Sequence, residues 1–397
     1  MKIESIRLKN FKAFRDVNLK DIPAFLVVVG ANGTGKSTLF DVFGFLHDCL
    51  KTNVRQALDK RGRFPEVLSR GCDVDKDTIL IELQYRMEIT SVGRLVTYSL
   101  EIGQRNGVPV VLKENLRYKR GRYGKPYNFL SFSSGEGYAI TNEEEFNKPD
   151  EELDRETQKV APDTLAIKGL GQFERFKAAN AFRRLIENWH VSDFHINAAR
   201  GRKEAAGETE HLSESGDNLP LVARYLHEEH TAIFKNILDT MAKRVPGVSS
   251  VEPKLMEDGY LTLRFKDGSF KTPFMDRYVS DGTIKMFAYL VLLHDPKPHP
   301  LLCVEEPENQ LYPQLMAELA EEFRNYAMRG GQVFVTTHSP DFLNALQLEE
   351  VCWLVKQGGS TGIHRAKDNQ QVAAYVLEGD QLGYLWKEGF FDGVDPK

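Results

Sequence analysis

The feature that most constrains this chain is a glycine-rich segment between a continuous apolar run and a helical pattern. Residues 30–37 read Gly-Ala-Asn-Gly-Thr-Gly-Lys-Ser and fit G-x-x-x-x-G-K-[ST], and the apolar run at 24–29 predicts a buried strand before them. Glycines allow consecutive backbone N–H groups to surround phosphate oxygens, and the helix predicted at 36–46 adds its positive end. We therefore predict a phosphate-binding loop formed by Asn32, Gly33, Thr34, Gly35, Lys36, Ser37 and Thr38. In this loop Lys36 is expected to contact the outer phosphates, and the Ser37 hydroxyl is expected to ligate Mg²⁺.

Two further predicted strands end in ionisable side chains. Residues 301–304 are apolar and lead directly into Glu305 and Glu306, while the run at 332–336 is followed closely by His338. In parallel sheets ligands bind at the carboxyl ends of the strands. One carboxylate, Glu305, can hold Mg²⁺, and the next, Glu306, can polarise an attacking water. A neutral His338 could hydrogen-bond a γ-phosphate and orient that water.

The remaining pattern predicts an α/β chain with an antiparallel insertion. A strand is expected at 3–8, and three β-rich segments separated by glycines form a meander at 79–85, 94–102 and 108–116. The acidic segment 143–156 is expected to be a solvated loop or a partly disordered insertion, and it could equally be a docking surface for a basic partner. Helical patterns begin at 177, and the last third alternates between helix and strand, which is typical of a parallel sheet covered by helices. In the middle of the chain the other predicted elements are a strand at 191–197, a helix at 219–244 and strands at 248–256 and 260–265. In the last third, helices are predicted at 282–294, 313–329 and 340–346, and they alternate with the strands at 301–304 and 332–336.

Composition excludes several classes of protein. With 397 residues, the chain is long enough for one large lobed domain or for two domains. Its formal net charge of −5 excludes a globally basic nucleic-acid coat. The longest apolar run, at 286–293, is far shorter than the roughly 20 residues that a membrane span needs, so we expect no membrane association. The start of the chain has no apolar signal core and the four cysteines match no zinc spacing, so the expected compartment is the cytoplasm.

Together these motifs make the chain resemble the ABC-type ATPases, in the branch that includes SMC-like, RecF-like and OLD-like heads. Within that branch, the chain most resembles the stand-alone predicted AAA-type ATPases. Residues 3–14 are similar to the start of such heads, and Ser280-Asp281-Gly282-Thr283 is similar to the ABC signature, with Val279 where leucine is usual. Residues 309–311 occupy the place of the D-loop, and His338 matches the switch histidine. Gln172 is the best match to the Q-loop glutamine, and Gln84 is a weaker candidate.

The resemblance implies a fold, a nucleotide and a division of the chain. The fold would be an ABC-type ATPase head of the α/β class, with a mixed parallel sheet, an antiparallel β meander and a helical lobe. The implied domains are 1–170 with the phosphate loop, the meander and the acidic segment; 171–300 with the signature; and 301–397 with the Walker B glutamates and the switch histidine. ATP and Mg²⁺ are the implied ligands, with Ser37, Gln172 and Glu305 at the metal. Two departures are the glutamate at Glu305, where aspartate is usual, and Tyr312, where relatives often have histidine.

The same resemblance implies how the protein acts. Such heads work as homodimers or higher homo-oligomers, in which ATP is sandwiched between Lys36 of one subunit and Ser280 and Gly282 of another. ATP-dependent pairing would then be a switch or scaffold in a DNA-related, anti-phage complex with a separate effector, such as a nuclease or a toxin-like protein. The alternative is a RecF-like DNA-repair clamp without an effector. A transporter subunit fits poorly because a meander and a helical lobe separate loop and signature, and a metabolic kinase has no use for the signature.

Two further segments carry weaker signals. Residues 117–127 hold five basic residues with interleaved tyrosines, which suits contacts with DNA, and the alternative is a solvated hairpin. Residues 376–380, Val-Leu-Glu-Gly-Asp, faintly resemble the first motif of a TOPRIM nuclease. We interpret that match as chance, so any nuclease activity is expected from a separate chain.

Overall fold

The computed structural model describes residues 2–121, 125–145, 148–149, 152–200, 203–204, 206–207, 210–270 and 272–392. The strands are β1 Lys2–Phe11, β2 Phe14–Lys20, β3 Phe25–Val29, β4 Ile79–Ile89, β5 Val92–Arg105, β6 Val108–Tyr118, β7 Tyr127–Ser133, β8 Glu136–Ile140, β9 Arg155–Lys159, β10 His190–Ser192, β11 Lys203–Glu204, β12 Val248–Leu255, β13 Tyr260–Asp267, β14 Phe274–Met275, β15 Leu301–Glu305, β16 Gln332–Thr337, β17 Val351–Gln357 and β18 Ser360–Arg365.

The α-helices are α1 Lys36–Lys51, α2 Val54–Asp59, α3 Phe64–Val67, α4 Ala166–Leu170, α5 Lys177–Glu187, α6 Ile196–Ala199, α7 Leu219–Glu229, α8 Thr231–Arg244, α9 Asp281–Leu293, α10 Met316–Met328, α11 Pro340–Leu343, α12 Gln370–Glu378 and α13 Leu382–Lys387. The chain forms two compact units. The first comprises residues 1–189, 348–379 and 388–397, and the second comprises 190–347 and 380–387. Among the described residues, no helix has both the length and the apolar character needed to cross a membrane.

The first unit contains the predicted meander. Among its described residues, eight strands form an antiparallel sheet in the order β2-β1-β4-β5-β6-β7-β8-β9. Alternate residues of β4 from Ile79 to Ile89 are buried, as expected for a sheet with one face packed against a core. Separately, β3 is buried at all five positions and pairs in parallel with β17, which pairs antiparallel with β18. The apolar run of β3 is therefore explained by burial on both faces.

The second unit contains parallel strands and a helical region. Strand β15 pairs in parallel with β10 on one side and with β16 on the other, in a register that places Cys303 beside Phe334. Helix α9 lies in the core, since every residue from Thr283 to Leu293 is buried. Strands β11, β12, β13 and β14 form a small antiparallel sheet. The predicted α/β fold class, with parallel sheet, meander and helical lobe, is confirmed.

Three local predictions were wrong. The helix expected at 219–244 is interrupted at His230, whose φ of −131° and ψ of 50° lie outside the helical region, so that α7 ends and α8 begins there. The strand expected at 191–197 ends at Ser192, and α6 starts at Ile196. The helix expected at 313–329 begins with a 3₁₀ turn, Pro313–Leu315, before α10.

The acidic segment is not entirely solvated. Glu143 is buried, and its carboxylate accepts hydrogen bonds from the Tyr118 hydroxyl at 2.6 Å and from the Ala178 N–H at 3.0 Å. Since Ala178 lies in the first turn of α5, Glu143 fixes that helix to the meander. Residues 146–147 and 150–151 of the segment lie outside the described residues.

A second buried glutamate anchors α4 in the same manner. Glu114 accepts hydrogen bonds from the N–H groups of Ala166 and Ile167, at 2.5 and 3.2 Å, and from the Tyr98 hydroxyl at 3.1 Å. The carboxylate therefore satisfies N–H groups that the helix start leaves without partners. Burial nevertheless raises the pKa of Glu114 and of Glu143 to about 7, because it removes water from the charged form.

These two carboxyl groups should make stability depend on pH. Both carboxyl groups hold protons more tightly in the folded state than in the unfolded state. Their contribution to the free energy of unfolding should therefore be greatest below the ordinary glutamate pKa of 4.5, decrease as the pH rises to about 7, and stay level above that. In Glu114→Gln/Glu143→Gln, the thermal unfolding midpoint should be lower than in the wild type at acidic pH, because an amide offers only one acceptor oxygen. The midpoint should also decrease less between about pH 5 and about pH 8.

The exposed Glu321→Gln serves as the control, and its midpoint should follow the wild-type pH profile. A double variant whose midpoint declines as steeply as that of the wild type would show that these carboxyl groups are not protonated in the folded state.

Candidate active site

The phosphate-binding loop follows the buried strand β3 in the first unit. Gly33 and Gly35 have φ values of 77° and 101°, in the left-handed region that favours glycine, and Gly35 immediately precedes α1. At Gly30 an added Cβ would lie 2.5 Å from the Thr34 hydroxyl oxygen. The loop therefore adopts a compact conformation that requires glycine at these positions.

The lysine of the loop is held by the loop's own backbone. The Lys36 ammonium donates to the carbonyl oxygens of Gly30 at 2.9 Å and Ala31 at 3.4 Å, and the residue is only 7% exposed. The charge is thus positioned inside the loop, while Asn32, Gly33 and Ser37 are exposed.

Two residues that the sequence analysis missed stabilise the loop. The Thr361 hydroxyl donates to the carbonyl oxygen of Thr34 at 2.7 Å, and the Lys356 ammonium donates to that of Gly33 at 3.3 Å. Both belong to the hairpin of β17 and β18, more than 300 positions after the loop in the sequence. No local sequence pattern indicates that they contact the loop. Both bonds go to carbonyl oxygens and occupy no N–H group of the loop, and the loop's conformation and the Lys36 charge suit a phosphate group.

In the second unit, the strand ends bring Glu306 and His338 together. Glu306 follows β15 with a φ of 42°, and its N–H donates to the Thr336 carbonyl of β16 at 2.9 Å. His338 Nε2 lies 3.0 Å from Glu306 Oε1, and both side chains are about one-third exposed. A non-glycine residue in the left-handed region is uncommon and often marks a functional position. Glu305, at the end of β15, is exposed.

The glutamate and histidine are positioned by residues that the sequence analysis did not assign. Glu308 accepts from the Thr337 hydroxyl at 2.7 Å and from the His338 N–H at 2.8 Å, so it holds the backbone beside the histidine. The Asn309 side chain donates to Glu306 Oε2 at 3.0 Å. The Glu-Glu-Pro-Glu-Asn sequence at 305–309 was the available signal, although spacing alone could not separate the roles of its three glutamates.

The start of α9 carries the signature residues. Ser280 is the N-cap of the helix, exposed to solvent, and its hydroxyl accepts from the Thr283 N–H at 3.2 Å. At Gly282 an added Cβ would lie 2.6 Å from the Gln310 carbonyl oxygen, so a close backbone contact with the D-loop requires this glycine. Lys285, buried in the same helix, donates to the Asn309 carbonyl at 2.8 Å, and burial lowers its pKa to about 8.

The same side of the second unit contains a cavity of about 440 Å³. Glu305, Glu306, Lys285 and Asn309 are among the residues that line it. Carboxylate, ammonium and amide groups therefore surround one water-accessible space beside the strand end.

The two Q-loop candidates lie in different settings of the first unit. Gln172 is exposed just after α4, and its side-chain amide donates to the Lys168 carbonyl at 3.3 Å. Gln84 lies in the middle of β4, paired with β1 and β5, and is therefore not in a loop.

The basic segment is partly built into the meander. Tyr118 is 2% exposed, with its ring stacked on Phe129 at 3.9 Å, so it is not available to stack on a base. The Arg120 guanidinium donates to the carbonyl oxygens of Glu145 and Lys148 at 2.9 and 2.5 Å, so this arginine contributes to the structure of the hairpin. Residues 122–124 lie outside the described residues.

Comparisons with known proteins agree with this fold. The family model described as "AAA domain, putative AbiEii toxin, Type IV TA system" matches residues 25–344. No curated protein matches the chain. Among solved structures, the chain is similar to the SMC head bound to the C-terminal winged-helix domain of ScpA, with a TM-score of 0.56 and 15% identity over 91% of this chain and 97% of that one.

Two other SMC heads are similar at lower scores. The head domain from Thermotoga maritima has a TM-score of 0.46 and 14% identity over 92% of this chain and 99% of that chain. The Pyrococcus furiosus head with an extended coiled coil, bound to the C-terminal domain of ScpA, has a TM-score of 0.49 and 14% identity, over 95% of this chain and 98% of that chain. The matched family model covers most of the chain, and the fold is that of an SMC head ATPase domain. The chain belongs to the AAA-domain family that includes putative AbiEii toxins of type IV toxin–antitoxin systems, and it has the fold of an SMC head.

Proposed function

We propose that this protein binds ATP and hydrolyses it to ADP and phosphate. The observation that carries the proposal is the Glu306–His338 pair, 3.0 Å apart at the ends of two parallel strands, in a chain whose glycine-rich loop also fits phosphate. Glu306 would accept a proton from the attacking water, and His338 would orient that water and the γ-phosphate. Attack on the γ-phosphorus breaks its bond to the bridging oxygen and releases ADP.

The proposal assigns binding roles to the other predicted residues. Lys36 and the N–H groups of residues 32–38 would hold the phosphates, while Ser37, Gln172 and Glu305 would hold Mg²⁺. The bound ion would neutralise phosphate charge during the reaction. Glu308 and Asn309, which the structure places around Glu306 and His338, would act as positioning residues.

We further propose that ATP is sandwiched between two copies of the chain. The supporting observation is that Ser280 is exposed at the N-terminus of a 13-residue helix, where a hydroxyl and backbone N–H groups can contact a γ-phosphate. Gly282, whose Cβ would collide with Gln310, connects this helix end with the D-loop segment that positions Glu306. Binding of a second copy at Ser280 could thereby adjust the hydrolytic pair.

A separate effector protein completes the proposed function. The family description names a toxin–antitoxin system, and the SMC head of the similar structure is bound to a domain of another protein, ScpA. By analogy, ATP-dependent pairing of this chain would control an effector such as a nuclease or a toxin-like protein in a DNA-related, anti-phage complex. A RecF-like clamp would instead bind DNA in an ATP-dependent manner without any effector.

Lys36→Ala is expected to abolish detectable ATP binding. A charged hydrogen bond contributes about 1.5–3 kcal/mol, and Lys36 would make more than one to the phosphates. The fold should persist because Thr361 and Lys356 still hold the loop. Calorimetric titration with ATP measures the effect, and Lys51→Ala, an exposed lysine at the other end of α1, is the matched control. Wild-type affinity in Lys36→Ala would refute the proposed loop function.

Glu306→Gln is expected to hydrolyse ATP about 10²-fold more slowly while binding it normally, because the amide cannot take the proton from water. Unhydrolysed ATP should then hold two copies together, and light scattering should show a doubled molecular mass that depends on ATP. Adding Ser280→Arg should prevent this association by blocking the approach of the second copy.

The exposed Glu321→Gln should hydrolyse ATP and associate like the wild type. If Glu306→Gln hydrolyses ATP at the wild-type rate, Glu306 is not the catalytic carboxylate. Slow hydrolysis with no change in mass would instead contradict only the sandwich.

A further inference from the structure

A cluster of histidines and one aspartate lies in the second unit, apart from the residues assigned to hydrolysis. Potential ligand atoms of His211, Asp295 and His299 all lie within 4.8 Å of one another. His211 Nδ1 is 2.6 Å from Asp295 Oδ2, and Asp295 is only 4% exposed. Two imidazoles and one carboxylate are the ligand types of zinc and related divalent metals.

The second observation is a buried histidine beside the cluster. His190 is 4% exposed, and its Nε2 is buried without a hydrogen-bond partner. Its ring stacks on His299 with the centroids 4.8 Å apart. A buried ring therefore covers one side of His299.

The backbone around the cluster is fixed by hydrogen bonds. The Lys297 N–H donates to Asp295 Oδ1 at 2.7 Å, while the Lys297 ammonium pairs with Glu210 at 3.2 Å. The His299 N–H donates to the Tyr326 hydroxyl at 2.7 Å, and the Asn218 side chain donates to the His211 carbonyl at 2.9 Å. The backbones of His211 and His299 and the carboxylate of Asp295 are thus each held by a hydrogen bond, as supporting contacts around a metal site would provide.

We propose that His211, Asp295 and His299 bind one divalent transition-metal ion, of which Zn²⁺ is the best match to this set of donors. Donor atoms around a tetrahedral Zn²⁺ are about 3.3 Å apart, since each lies about 2.0–2.1 Å from the ion. On metal binding, the distance between His211 Nδ1 and Asp295 Oδ2 would increase slightly, and rotation of side chains would shorten the longest of the distances between the three donor atoms. The ion would take the place of the proton that His211 and Asp295 share.

The position in the chain gives the ion a structural role. Asp295 and His299 lie in the connection between α9 and β15, and His211 lies in the segment that precedes α7. A metal ion would therefore link two parts of the chain that are far apart in sequence. One is the connection from the signature helix to the strand that leads to Glu306, and the other is the segment that contains His211. Because the folded site binds the ion and the unfolded chain does not form it, binding stabilises the fold.

The test uses the full chain, purified without a histidine tag and freed of metal with a chelator. ZnCl₂ should bind with one tight equivalent by calorimetry and raise the thermal unfolding midpoint by about 4 °C or more. His211→Ala and His299→Ala should weaken binding by at least about 10²-fold and lose the thermal shift. The exposed His227→Ala is the matched control and should bind like the wild type.

Glu306→Gln separates this site from the hydrolytic pair, because the tight equivalent should remain in that variant. If His299→Ala fails to fold, Co²⁺ absorption in His211→Ala, whose side chain is 28% exposed, provides the second measurement and should lose the wild-type ligand-field bands. A wild-type midpoint unchanged by Zn²⁺, or bands unchanged in His211→Ala, would overturn the proposal and leave a His211–Asp295 ion pair. Loss of the tight equivalent in Glu306→Gln would also overturn it.

Discussion

The chemistry of this protein depends on one constraint, namely that buried parallel strands can carry polar side chains only where they end. Strand β3 is buried along its whole length and β15 is buried up to its last residue, so neither can present an ionisable group earlier. The chain therefore places the glycine-rich loop directly after the first strand and Glu305 and Glu306 at the end of the second. The left-handed conformation of Glu306 turns the chain at that point and sets its carboxylate beside His338.

This constraint explains why much of the fold could be predicted from sequence. Continuous apolar runs that end in glycine or glutamate identify both the strands and the positions of polar side chains, and the meander is evident from its alternating residues and glycine turns. Most observed strands end within a few residues of the predicted ones, as at β4, which runs from Ile79 to Ile89 instead of ending at 85, whereas the strand expected at 191–197 ends at Ser192. An alternation of apolar and polar residues indicates a strand buried on one face, and a continuous apolar run indicates a strand buried on both faces. Burial can therefore be predicted directly from the sequence.

The interactions that position the site could not be predicted because they join residues distant in sequence. Thr361 supports Thr34, Lys285 supports Asn309, and Tyr118 faces Glu143 instead of solvent. A lysine in an apolar helix, a tyrosine in a basic run and a glutamate in an acidic run each look like surface residues when read locally. Their partners become visible only when the strands and helices are assembled, since a buried polar group must find a hydrogen-bond partner wherever the fold provides one.

Helix α9 and strand β15 are linked at both of their ends, and this suggests how a signal could pass between them. At one end, Lys285 donates to the Asn309 carbonyl, and the Asn309 side chain donates to Glu306. At the other end, Asp295 and His299 lie in the short connection between the helix and the strand. Lys285 and Asn309 therefore form a direct hydrogen-bonded connection from the signature helix to the carboxylate that faces His338.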